Sequence, residues 1–303
     1  MARHNWYGRD RGLSARMYGT MFALGLIYVV FIGVLIVLLN NIFLILVIAG
    51  GFLVVQLFFS DRIALAAMGA KVTEPDEAPE LHAAIERLCQ LSDLPKPKVA
   101  VADTDVPNAF AAGRSRKTAT VCVTTGLSGR LDTKELEGVL AHELSHIANR
   151  DVVVMTVASF LATIAGLVMR FGLYSSMGRS RDNTAVVILG VVAASVVVYV
   201  LSFFLLRALS RYREYAADRG AAIMTGAPAQ LASALEKISG SMARIPTKDL
   251  RASEGMNAFF IMPAVARGFS LSSLVATHPP TEKRIERLMA MQAQMDGTPV
   301  ALD

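Results

Sequence analysis

Hydrophobic positions are bunched rather than scattered in this chain. Four predominantly apolar runs, at 21–39, 42–59, 152–169 and 185–206, contain no Asp, Glu, Lys or Arg. Each is about long enough to cross a ~30 Å hydrocarbon layer as a helix rising 1.5 Å per residue. Only Asn40 and Asn41 separate the first two runs, which predicts a tight helical hairpin. The first run is too long for the apolar stretch of a removable leader and lacks a cleavage-like tail.

Outside these runs the period changes. Residues 79–91 read as an amphipathic helix, with Leu81, Ile85 and Leu88 at helical spacing and Pro95 and Pro97 beyond its end. Residues 98–102, 108–112 and 118–124 read as short strands broken by turn-forming residues, giving a small sheet. A helix follows, with Asp132 as its N-cap, Glu135 three residues on, and an apolar stripe through Leu136, Val139, Leu140, Leu144 and Ile147. After the fourth run the pattern predicts a helix holding Glu214 and Asp218, another over 227–238, an irregular stretch at 240–276, and a last helix capped by Thr281. The resulting units are a basic N-terminus (1–20), a transmembrane hairpin (21–60), a first soluble part (61–151), a second transmembrane or re-entrant hairpin (152–207) and a second soluble part (208–303).

Composition agrees with a membrane-embedded chain. The 303 residues are 53% hydrophobic and 18% charged, too apolar for an ordinary soluble protein yet long enough for a soluble core as well. Arg3, Arg9, Arg11 and Arg16 precede the first run and favour a cytoplasmic N-terminus; Arg170, Arg179 and Arg181 in the loop between the last two runs fit that rule less well. The net charge of +5 is explained by arginines beside anionic lipid, so nucleic acid is not an expected partner. Cys89 and Cys122 lack metal-like spacing and are expected as buried free thiols.

The chemistry is concentrated at residues 141–146, Ala-His-Glu-Leu-Ser-His. On a helix, His142 and His146 project from one face a turn apart, so both imidazoles can reach one ion while Glu143 points to its open side. A catalytic zinc needs a third protein ligand. The metzincin arrangement would require Gly at 149 and His at 152, where this chain has Asn149 and Val152. The third ligand must therefore be remote. Glu214 and Asp218, one helical turn apart in Ser-Arg-Tyr-Arg-Glu-Tyr-Ala-Ala-Asp, are the best candidates: Glu214 to bind zinc, Asp218 to accept from the far nitrogen of a ligating His. The alternative is a solvated helix in which they pair with Arg211 or Arg213.

These segments together resemble the HtpX family of membrane zinc metalloproteases, distant relatives of the CAAX prenyl protease. The likeness runs through Arg9-Asp10-Arg11-Gly12-Leu13, the two-run hairpin, Asn108-Ala109-Phe110-Ala111, His142 to His146 with Asn149-Arg150-Asp151, Arg213 to Asp218, and Thr277-His278-Pro279-Pro280. It implies one Zn2+ per subunit on His142, His146 and Glu214, with Glu143 catalytic. It further suggests that Asn108, Ala109, Phe110 and Ala111 form an edge strand that aligns an extended polypeptide substrate; an internal strand with Phe110 in the core is the alternative. His278, held out of a helix by two prolines, could donate to a tetrahedral oxyanion, as the resemblance supports, or be an interfacial histidine satisfied by backbone. His4 and His82 are expected at the surface. Phe259, Phe260, Ile261 and Met262 lie in a stretch too short to span a bilayer, suited to a substrate groove, an interfacial dip or packing.

The expected fold is thus an integral membrane α-helical protein of about four transmembrane helices with an α+β zincin-like metallopeptidase domain. Because His146 precedes the third run by five residues and Glu214 follows the fourth by about eight, the site is expected at the membrane surface. The likeness implies proteolytic quality control of misfolded membrane proteins at the cytoplasmic face of the bacterial inner membrane. A regulatory membrane protease, a silent zinc-bound scaffold and a prenyl-tail protease are the competing readings. The short loop between the last two runs offers no sensor domain, Glu143 argues against silence, and four spans are too few to wall off a prenyl-protease chamber.

Overall fold

Helices dominate because the apolar runs leave their backbone no other way to satisfy its hydrogen bonds in lipid. The computed structural model describes residues 10–39, 42–176, 183–242 and 278–297. In chain order the elements are α1 (Arg11–Leu39), α2 (Ile42–Ala67), β1 (Lys71–Val72), α3 (Pro79–Ser92), β2 (Lys98–Ala102), β3 (Ala109–Ala112), β4 (Thr120–Thr124), α4 (Thr125–Ser128), α5 (Thr133–Asn149), α6 (Asp151–Ser176), α7 (Asn183–Thr225), α8 (Pro228–Met242) and α9 (Thr281–Met295). The Phe259–Met262 stretch and His4 lie outside the described residues.

Among the described residues, four helices are long and apolar enough to cross a membrane: Arg11–Val37, Gly50–Ala67, Asp151–Met169 and Val186–Thr225. Leu24, Phe31 and Leu35 of α1 pack with Leu161 and Ala165 of α6 and with Val191, Val198 and Leu209 of α7. Phe22, Val29 and Val37 stay exposed on the outer face of α1, as lipid-facing residues do. The helix holding Glu214 and Asp218 is not a separate element. It continues the last span without a break through position 207, and its 43 residues make α7 about 65 Å long, twice the hydrocarbon thickness. One rigid rod therefore carries both the last membrane crossing and part of the candidate site.

The sheet has the order β1-β2-β4-β3. β2 and β4 are parallel, and β3 pairs antiparallel with β4 in the register Ala109↔Val123 and Ala111↔Val121, so β3 forms one edge. Alternation separates the faces. Ala109, Val121 and Val123 pack on α3 and α5 through Ile85, Leu88, Leu140 and Leu144, whereas Phe110, Ala112 and Cys122 meet Ala64 at the end of α2. Asn108 precedes the strand and is fully buried. Its carbonyl accepts from Thr124 N–H at 2.9 Å. By antiparallel alternation Asn108, Phe110 and Ala112 bond to β4, and Ala109 and Ala111 turn their main-chain groups to the outer edge.

α5 starts with the expected capping box: Asp132 accepts from the Lys134 and Glu135 N–H groups at 2.9 Å, and Glu135 accepts from Asp132 N–H at 3.0 Å. It is buried on nearly every side, not along one stripe alone, since Gly138 and His142 to Ser145 are buried with Val139, Leu140 and Leu144. Gly220 of α7 makes this closeness possible, because a Cβ there would stand 2.5 Å from Ser145 Oγ.

Two further expectations fail. His82 is not at the surface: it is 7% exposed under α3, its Nε2 3.1 Å from the Thr73 carbonyl, because it falls on the same helical face as Ile85 and Cys89. Thr281 does not cap α9; Pro280 occupies the N-cap position and no side chain caps that end. Cys89 and Cys122 are free and buried. Burial pushes their thiols up to about 11 and about 12.

Candidate metal centre

Two helices and the segment leading into a third bring the site together. α5 supplies His142, Glu143 and His146, α7 supplies Glu214 and Asp218, and the segment before α9 supplies His278. His142 Nε2 lies 3.1 Å from His146 Nε2. Glu214 faces both, with Oε2 3.6 Å from His142 Nε2 and Oε1 3.5 Å from His146 Nε2. Three donors each ~2.0–2.2 Å from one tetrahedral ion would stand roughly 3.3–3.6 Å apart. The observed spacings fit a shared metal, and all three ligand atoms lie within 4.8 Å of one another.

The far nitrogens are held as well. His142 Nδ1 lies 3.0 Å from Asp218 Oδ1, and His146 Nδ1 lies 2.6 Å from Asp151 Oδ2. A carboxylate on Nδ1 fixes the tautomer that leaves Nε2 with its lone pair directed at the metal position. Each of these carboxylates has an arginine behind it. Arg284 of α9 reaches Asp218 through Nε at 2.9 Å and Nη2 at 2.7 Å, and its Nη1 lies 3.3 Å from Glu214 Oε2. Arg213 of α7 pairs with Asp151. In place of a solvated helix, Glu214 and Asp218 are buried and both pair with Arg284 of α9.

Asp151, Arg213 and Arg284 are supports that sequence reasoning did not assign. Asp151 returns to His146 because Arg150, at φ 58°, ends α5 in the left-handed region and turns the chain in a single residue. Its signal was present, as the first acid after the two histidines. Arg284 gave none, since its partner lies 66 positions away in another helix.

Burial sets the electrostatics. It pushes the Glu143 carboxyl above its ordinary range, against the pull of His142, His146 and the Ala111 N–H. Burial disfavours charge on His142 and His146, but Asp218 and Glu214 outweigh it for the first and Glu214 for the second, so both imidazoles titrate above their usual value. Arg284 stays charged despite complete burial because Asp218 and Glu214 surround it. His278 lies against the same cluster, with Nδ1 3.2 Å from Glu214 Oε2.

A cavity of about 440 Å³ opens onto these groups. Its walls include Ala109 to Ala112 of β3, the three α5 residues, Glu214 and His278, so the open sheet edge and the candidate ligands share one space. Ala111 N–H points to Glu143, tying that edge to α5.

The sequence pattern of peptidase family M48 matches residues 75–292, which contain every residue of this centre. The chain belongs to peptidase family M48. It is accordingly a metallopeptidase, a hydrolase, and its four apolar helices make it a membrane protein of the M48 family. It is 52% identical over 292 residues to Protease HtpX homolog 1 of Streptomyces coelicolor, covering 96% of each chain. It is 53% identical over 293 residues to a Protease HtpX homolog of Moorella thermoacetica, covering 95% of this chain and 97% of that one. The crystal structure of S. mikatae Ste24p shares the fold, with a TM-score of 0.53 at 20% identity over 91% of this chain and 66% of the longer Ste24p chain. In the M48 chain described here, the pairing of two imidazoles with a carboxylate matches the donor set of a hydrolytic metal site.

Proposed function

We propose that this M48 chain is a zinc-dependent endopeptidase that cleaves misfolded or damaged membrane proteins at the cytoplasmic face of the bacterial inner membrane, as part of proteolytic quality control under stress. The observation that carries the reading is the convergence of His142 Nε2, His146 Nε2 and Glu214 beside Glu143 in a cavity bordered by a sheet edge. His142, His146 and Glu214 would hold one Zn2+ per chain. When bound, zinc supplies Lewis-acid polarisation of the scissile carbonyl and a lowered pKa for water.

The protein's own residues do the rest. Glu143 takes the proton of the attacking water and returns it to the leaving amine; its burial and raised carboxyl pKa suit a group that must first accept and then give a proton. Asp218 and Asp151 keep the imidazoles oriented and are themselves held by Arg284 and Arg213. His278 donates to the developing oxyanion. The outward main-chain groups of Ala109 and the Ala111 carbonyl receive an extended substrate as an added strand, with Asn108 and Phe110 anchoring that strand from behind. Such pairing reads backbone more than side chains, which suits a tolerant protease. Location supports the substrate class, because α7 leads straight from the membrane to Glu214.

Glu143→Gln tests this. The variant is expected to bind zinc as the parent does and to lose about 10²–10⁴-fold in turnover of an unfolded membrane-protein substrate. Turnover at the parent rate would refute the role of Glu143. Zinc bound with no cleavage by the parent protein itself would favour a scaffold.

A further inference from the structure

The cavity does not stop at the metal centre. Beyond it the walls pass to Gln56, Ser60 and Asp61 of α2, to Val152, Met155, Thr156 and Ser159 of α6, and to Leu206 and Arg207 of α7. Asp61, Asp151 and Arg207 mark where charge returns at the ends of the apolar runs. Gln56 lies five residues into the run from Asp61 and Ser159 eight from Asp151, roughly 8 and 12 Å deeper along their helices. Polar side chains at that depth face protein or a wet cavity, not lipid. Gln56 Nε2 lies 3.5 Å from Ser159 Oγ across the gap between α2 and α6, yet Gln56 Oε1 is buried and accepts no hydrogen bond among the described residues. A buried acceptor without a protein donor, set on a cavity wall, is met by water or by a ligand that brings a donor.

The sheet edge points the same way. At the far end of β3 the chain turns so that Arg114 stands over the Phe58 ring, 4.4 Å from its centroid, which brings that end of the edge to the membrane-side turns of α2. A strand laid along Ala109 and Ala111 and continued past Gly113 would run toward the membrane end of the cavity that Ser60 and Gln56 also line.

We propose that Gln56 and Ser159 form a substrate subsite for the backbone of an unwound juxtamembrane segment, so that an integral membrane protein is drawn to the metal from its membrane side. Gln56 Oε1 accepts a backbone N–H of that segment and the second Gln56 amide hydrogen faces its carbonyls, while Ser159 Oγ, donating to the Thr156 carbonyl at 3.2 Å, holds the amide in place. This rests on the endopeptidase reading above and adds to it the direction from which substrate arrives.

The test uses the full-length zinc-loaded protein in lipid vesicles and two substrates: a single-span protein with an unstructured tail, and that tail as a soluble peptide trimmed to begin at the cleavage site on its membrane side. For Gln56→Met, the loss in kcat/KM on the tethered substrate is expected to exceed the loss on the trimmed peptide at least tenfold, mostly through KM. Equal losses on both would mean that Gln56 merely packs α2 on α6, and would overturn the subsite. A second readout needs no turnover. With Gln56→Cys in a Glu143→Gln background, disulfide capture should select cysteines placed within a few residues of the cleavage site on the membrane side of the tethered tail. Capture elsewhere, or none, would overturn the proposal even if cleavage by the parent persists; capture as expected while the parent cleaves neither substrate would uphold the binding site and count against hydrolysis instead.

Discussion

The two histidines of the centre are supported in the same way but at different depths. His142 is locked from afar: Asp218 comes from α7, Arg284 from α9, and all three are at most 2% exposed. His146 is supported by Asp151, five residues on and itself held by Arg213 of α7, and its side chain is 14% exposed. The first support therefore binds α5, α7 and α9 through a fully buried bidentate pair, whereas the second fixes the joint between α5 and α6 and reaches α7 through one arginine. Fold stability and metal affinity should be coupled more strongly on the His142 side than on the His146 side.

Removing Arg284 breaks the comparison hardest. Arg284→Met leaves Asp218 buried without its cation, and a buried ion pair stripped of one member costs about 3–5 kcal/mol. Thermal unfolding in one detergent should show this, with zinc affinity weakened at least ~10-fold. The double change Asp218→Leu with Arg284→Met is expected to recover stability without recovering affinity, which separates the two effects.

Gly220→Ala acts on the same side through sterics. The new Cβ meets Ser145 Oγ at 2.5 Å and Ser145 Cβ at 2.8 Å, so α5 and α7 must part and carry the histidines away from Glu214. Overpacking of this kind costs about 1–3 kcal/mol. Adding Ser145→Gly should restore both unfolding temperature and zinc binding; failure of that rescue would show that the helix contact is not what Gly220 secures.

On the His146 side, Asp151→Asn keeps shape but removes charge. Zinc affinity is expected to fall about 10-fold, at the low end for a group that orients a ligating histidine, while the unfolding temperature falls less than in Arg284→Met. If Asp151→Asn unfolds the protein as readily, the ranking of the two supports is wrong.

What could be read from the chain follows this same division. His142, Glu143 and His146 are legible because helical spacing is itself a coordination geometry, and the Asp132–Glu135 box because capping is local. Glu214 and Asp218 are legible by the same one-turn spacing. Arg284 is not, because a bidentate contact between distant helices leaves no periodic trace. The continuity of α7 is hidden for another reason: charges beginning at Arg207 mark where the membrane ends, but helix propensity does not end with it. His82 looked exposed because a single histidine on an amphipathic helix shows its face only once its neighbours pack.

Asp132→Ala gives the smallest effect and serves as a control at the far end of α5. Losing the cap should cost about 1 kcal/mol, seen as a slightly lower unfolding temperature, with zinc affinity unchanged within about twofold. A large loss of affinity would mean that the helix start and the metal centre are more tightly coupled than their separation along α5 suggests.

Zinc content and coordination, measured on the parent and on Glu214→Gln purified side by side, test the central claim most directly. The parent should carry one zinc per chain with two imidazole nitrogens and a carboxylate oxygen at about 2.0–2.2 Å, and Glu214→Gln should lose most of it at equal free zinc. Full zinc retention in Glu214→Gln, or a coordination sphere lacking two imidazoles, would contradict the account.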